Sequence, residues 1–164
     1  MRLASCAGFR ADVLPAIARH GATTELGDEV PFSTGFGSAD RSLVALVVAA
    51  ARRRRAVHPL TIDEIFTSDA ALDASAVAIT VLRPIAVDAL AAIDDLALSG
   101  LWREVSTSLG DREPLPSALG QSIRELVVQC RAAVANGWEV FVVEDRRTEA
   151  RSRLPGSADG PRGA

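Results

Sequence analysis

Val77-Ala78-Ile79-Thr80-Val81-Leu82, followed by Arg83-Pro84, is the stretch on which the fold class turns. Val77, Ile79, Thr80 and Val81 are β-branched, which stiffens their side chains and suits a pleated backbone, and Pro84 bounds the run. It reads as a buried strand. A strand here makes the chain α/β, whereas a helix here would make it mostly α and winged-helix-like. Trp138 to Val143 strengthens the first alternative, because Val140, Phe141, Val142 and Val143 are consecutively apolar, as in a strand covered on both faces. Arg2 to Ser5 gives a short third strand, with a turn expected over Cys6-Ala7-Gly8-Phe9-Arg10. The expected fold is therefore a single small α/β domain with a short, largely buried sheet flanked by helices.

The helices announce themselves by spacing and punctuation. Asp12 to His20 is predicted helical, with Asp12 as cap, Pro15 in the tolerated first turn and Gly21 as a left-handed stop. Thr23 to Ser38, rich in glycine, reads as loop or irregular strand. Asp40 caps a run whose Leu43, Leu46, Val47 and Ala50 share one face, and Arg52 to Arg55 close it at the negative end of the helix dipole. Pro59 breaks that run, and Thr61-Ile62-Asp63-Glu64 has the spacing of a capping box that opens a short helix toward Phe66. Ile85, Leu90, Ile93 and Leu96 to Leu98 recur at helical spacing until Gly100. Ile123, Leu126, Val127, Cys130 and Val134 form another helical face that ends at Asn136-Gly137. Residues 1–145 are read as one domain, and 146–164, with Leu154 as the sole large apolar side chain, as a disordered basic tail.

Composition limits the chemistry. The 164 residues include eighteen arginines but no lysine and no tyrosine, which removes Schiff-base amines, phosphate-loop lysines and phenolic acids. GC-rich coding accounts for such a bias without any appeal to arginine chemistry. With 48% apolar residues the chain has material for a real core. Met1 to Asp145 holds 13 arginines against 19 acids, net −6, while the tail holds 5 against 2, net +3. An acidic body of this kind offers no broad nucleic-acid surface. Cys6 and Cys130 allow at most one bridge and fit a reduced cytosol better. Leu3-Ala4-Ser5-Cys6 has the form of a lipoprotein cleavage box without an apolar region before it. The longest apolar run, Leu43 to Ala51, falls far short of a membrane span. A soluble, cytoplasmic protein is expected.

Candidate site residues follow from the strand ends. If the three strands are parallel, their carboxyl ends gather Cys6 to Arg10, Arg83 and Glu144-Asp145 in one crevice. Arg10 and Arg83 are then the candidate anion ligands. Cys6, Glu144 and Asp145 are the candidate catalytic groups, with a carboxylate as general base if burial raises its pKa. Arg52, Arg53, Arg54 and Arg55 form the densest positive charge and are the candidate contact for an acidic partner, although successive helical positions splay around the axis. His20, His58, Cys6 and Cys130 lack short ligand spacing, so neither metal nor cofactor is expected, and Gly35-Phe36-Gly37 is not a dinucleotide fingerprint.

Two stretches resemble known families. Arg19-His20-Gly21-Ala22-Thr23 is similar to the Arg-His-Gly box of histidine phosphatases, which implies phosphoryl transfer through His20. That family places its box after a buried strand and a second histidine near Glu144-Asp145, where this chain has none. Ala74 to Pro116 resembles a winged-helix module, which implies helices on either side of Arg83-Pro84 and a wing with Asp111-Arg112 at its tip. The reading helix would carry Asp88, Asp94 and Asp95, a poor match to DNA. The function expected is that of a non-catalytic interaction or regulatory protein in a cytosolic bacterial system. Its partner would be another protein, with self-association open and nucleic acid or membrane disfavoured. The alternatives are a small-molecule or anion-binding enzyme at the strand ends and a winged-helix regulator.

Overall fold

A computed structural model of the chain describes residues 2–22, 41–68, 77–109 and 116–145. In chain order the elements are β1 (Arg2–Gly8), α1 (Arg10–His20), α2 (Arg41–Arg54), α3 (Ile62–Ile65) and β2 (Phe66–Ser68). They continue with β3 (Val77–Leu82), α4 (Pro84–Ala91), α5 (Asp95–Leu109), α6 (Pro116–Asn136) and β4 (Glu139–Asp145). Val77–Leu82 is thus a strand, and the fold is α/β. The helix that a winged-helix module needs before Arg83-Pro84 is absent from its described part, residues 77–82.

The four strands form one sheet in the order β1-β4-β3-β2, with every pair antiparallel. This corrects the parallel arrangement. A fully apolar run shows only that both faces are covered; it carries no polarity, and helices on both sides cover an antiparallel sheet equally well. Side chains alternate across the sheet as a two-residue period requires. Ala4, Cys6, Val77, Ile79, Val81, Phe141 and Val143 pack with Val13, Ala16 and Ile17 of α1. Ala7, Leu82, Val140 and Val142 face a larger core supplied by α2, α4, α5 and α6. Val140 to Val143 are wholly buried at the centre of these three layers, where each large side chain contributes roughly 1.5–3 kcal/mol.

Several boundaries differ from the sequence reading. β1 continues through the expected turn, because Cys6 pairs with Phe141 and Gly8 with Glu139 in the ladder. α1 starts at Arg10 with Phe9 as its cap residue, so Asp12 lies inside the first turn, where it favours the dipole without capping. Pro15 consequently sits in the second turn and gives up the bond to the Ala11 carbonyl. Gly21 does end the helix at φ 62°, donating to the Ile17 carbonyl at 2.7 Å. The long helix expected to Gly100 is two helices. α4 stops at Ala91, and the Asp94 carboxylate accepts the Ala97 N–H at 2.6 Å to open α5, leaving Gly100 in a helix interior.

Other signals hold. The Glu64 carboxylate accepts the Thr61 N–H at 2.8 Å and its hydroxyl at 2.9 Å, the returning half of a capping box. α6 ends at Gly137, φ 67°, and Trp138 N–H donates to the Ala133 carbonyl at 3.0 Å, as in a Schellman stop. The Asp40 cap, the Thr23 to Ser38 segment, Asp111-Arg112 and the 146–164 tail lie outside the described residues.

Candidate functional site

Antiparallel pairing separates the residues that the parallel arrangement would have gathered. β1 and β3 end beside the start of β4, which brings Arg10, Arg83 and Glu139 to one end of the sheet. Glu144 and Asp145 stand at the other end, opposite Leu3 and Arg2 on β1 and Ala78 and Val77 on β3. Asp145 is buried there and accepts the Ala22 N–H at 3.4 Å. Cys6 points into the core under α1, and burial pushes its thiol up to about 12, as it does for Cys130 beneath the opposite face. Neither thiol has the electropositive, accessible surroundings that make a nucleophile. His20 closes a helix and does not follow a buried strand, so the Arg-His-Gly likeness lacks its family's placement.

The arginines are mostly committed to holding the fold. Arg10 meets Glu139 through a fork, with Nε and Nη2 donating to Oε2 and Oε1 at 2.9 and 2.8 Å. Arg83 Nε donates to the Phe66 carbonyl at 3.3 Å, tying the start of α4 to β2. Arg52 donates to the His58 carbonyl, and Arg53 and Arg54 share the Glu104 carboxylate, fastening the end of α2 to α5. Arg53, by hydrogen-bonding its charged form, holds the Glu104 carboxyl below the usual range against the opposing effect of burial, and Arg54 adds a lesser pull in the same direction as Arg53. Three guanidinium groups converge on the corner between α4 and α5. Arg54 reaches the Ala97 carbonyl at 3.1 Å and Arg55 the Ala92 carbonyl at 2.7 Å, while Arg131 bonds the Ala91 and Ile93 carbonyls and Asp95. Carbonyls left over at a helix end are thereby satisfied from outside the helix. Each arginine from Arg52 to Arg55 thus has a hydrogen-bond partner within the fold.

Among the described residues, concave regions occur at two places. At the sheet end that holds Arg10, a cleft of about 270 Å³ is lined by Leu82, Pro84, Val87, Val134 and Trp138, with Asp88 and Glu139 at its polar side. Phe9 packs edge-on against Trp138, with ring centroids 6.1 Å apart. Between α5 and α6 two further hollows, of about 320 and 330 Å³, share Asp95, Leu98 and Arg124. Sequence reasoning missed both regions. The α6 face on the groove mixes Gly120, Gln121, Arg124 and Val128, which as a string resembles any solvated helix surface. The cleft draws on β3, α4, α6 and β4 at once.

Among the described residues no three His, Cys, Asp or Glu side chains converge as metal ligands, and no helix is long and apolar enough to cross a membrane. The chain matches no protein family, no characterised protein and no solved structure.

Proposed function

We propose that this chain is a non-catalytic interaction module that docks another protein at the end of the sheet where β1 and β3 finish and β4 begins. One observation carries this: Val134, which lines the cleft, is 53% exposed, and Phe9, which packs on the cleft's Trp138, is 55% exposed. Scattered exposed apolar residues are ordinary, but a cluster rimming a concave, aromatic-lined hollow marks a binding surface. Trp138 is half-buried beneath Phe9 and suits the role of an anchor at the centre of an interface. The charges at the rim define the partner. Glu139 is already matched by Arg10, whereas the Asp88 carboxylate has no partner among the described residues. A partner presenting an apolar side chain beside a basic one complements the cleft. Two buried, unbridged cysteines favour a reducing, cytoplasmic setting for this docking.

A photo-crosslinking residue placed at Phe9, with one at exposed Val57 as control, tests the proposal in cells. One discrete adduct is expected from the Phe9 position and none from Val57, and Val134→Asp should suppress it without lowering the thermal midpoint. Indiscriminate adducts from both positions, or none from Phe9, would overturn it. An adduct with a second copy of the chain would identify that partner as self.

A further inference from the structure

Arg124 is the exception among the arginines. Every other arginine whose side chain is described takes part in a hydrogen bond, an ion pair or an aromatic contact, including Arg41 over Phe66 and Arg103 over Trp102. Arg124 has none among the described residues, is exposed, and lines both hollows between α5 and α6. Its neighbours at helical spacing, Gln121 and Val128, continue that wall, facing Leu98 and Trp102 on α5. The groove extends over about two to three helical turns, roughly 10–15 Å.

Gly120 lines the same hollow and leaves its floor without a side chain. It lies inside α6, where glycine is the least favourable residue other than proline. A Cβ there would meet nothing within 4 Å. Gly100 on α5 shows the contrast, since a Cβ on it would come within 2.8 Å of the Arg54 guanidinium. Gly100 makes room for a neighbour within the fold, whereas Gly120 borders open space. Asp95 does not cancel the charge of Arg124, because Arg131 already holds it at 2.9 Å.

We infer that the α5–α6 groove receives an acidic amphipathic segment of a partner protein, a carboxylate meeting Arg124 while apolar side chains cover Leu98 and Trp102. This is the helix-in-groove mode of recognition, with an added charge-assisted hydrogen bond that fixes register. It involves none of the residues at the sheet-end cleft, so either surface can fail its test while the other stands.

The test is a titration of the full isotope-labelled chain, followed by NMR, with three probes. These are a fifteen-residue peptide repeating leucine and glutamate at helical spacing, the same peptide with glutamine for glutamate, and inorganic phosphate. The acidic peptide is expected to shift the amides of Leu98, Ser99, Gln121 and Arg124 and the Trp102 indole. Arg124→Gln should weaken that binding at least about tenfold, the glutamine peptide should be weaker by a similar factor, and Gly120→Leu should block it by filling the open space. Equal binding of the two peptides, indifference to Arg124→Gln, or no shift in the groove at millimolar peptide would overturn the inference. Phosphate alone reproducing the Arg124 shifts would also overturn it, in favour of a simple anion site. Shifts confined to Val134 and Trp138 would assign the peptide to the other cleft and count against this one.

Discussion

Gly100 and Gly120 show how a single missing Cβ is interpreted by its surroundings. Both sit inside helices, where replacement by alanine ordinarily stabilises by about 1 kcal/mol. Gly120→Ala is expected to yield that gain in urea unfolding, because among the described residues nothing beyond its own helix lies within 4 Å of the new methyl. Gly100→Ala is not. Its methyl would displace the Arg54 guanidinium at 2.8 Å and with it the bonds to Ala97 and Glu104, offsetting the helical gain. The cycle closes with Arg54→Ala, in whose background Gly100→Ala should recover most of the missing stabilisation. Equal gains at the two positions in the wild-type background would show that the guanidinium moves aside at no cost. The sequence marks both glycines only as weak points of a helix, and in the case of Gly100 as an apparent helix end; what distinguishes them is an arginine 46 residues away.

At the scale of elements, the strands show how much an apolar pattern contains. β3 and β4 were legible because β-branched and aromatic residues in unbroken runs suit strands buried on both faces. Their direction was not legible, since burial has no polarity, and the candidate site depended on that direction. β1 was read short because Cys6-Ala7-Gly8 has the composition of a turn, and only pairing with Phe141 to Glu139 extends it. The α4–α5 break was hidden by apolar spacing that continues across Ile93, although Asp94 ahead of the second run was a usable cap signal. The junction of α2 with α5 carries a pH prediction. Glu104 lies below its ordinary value of 4.5 when folded, chiefly through Arg53. Its contribution to stability is therefore complete above 4.5 and is lost as pH falls through the lower folded value. Glu104→Gln should lower the thermal midpoint at pH 7, by no more than about 1 kcal/mol for so exposed a pair. The difference from wild type should shrink on acidification below 4.5. A difference that persists unchanged into acid would mean that packing, and not charge, joins the two helices.

For the whole molecule, the placement of arginines decides between classes of partner. A nucleic-acid surface needs cations spread along one face and free to neutralise phosphates. Here Arg52 to Arg55 are hydrogen-bonded along the surface to His58, Glu104, Ala97 and Ala92, while α4 and the turn into α5 carry Asp88, Asp94 and Asp95. The body from Met1 to Asp145 keeps net −6. Sequence could count these charges but could not pair them, because the pairs join positions about forty to fifty residues apart, such as Arg53 with Glu104 and Arg55 with Ala92. A gel-shift titration of the full chain with duplex DNA should accordingly show no binding tighter than about 10⁻⁴ M at physiological salt, the weak end of non-specific association. In the same preparation Arg53→Gln combined with Arg54→Gln should lower the urea midpoint, since the contacts of Arg53 with Glu104 and of Arg54 with Glu104 and Ala97 are lost. The opposite pattern, a salt-steep DNA complex abolished by that double substitution with stability intact, would return these arginines to the surface as ligands. The pairing seen around Glu104 would then contribute nothing to holding the helices together. Stability, rather than affinity, is the quantity through which these four arginines are expected to be felt.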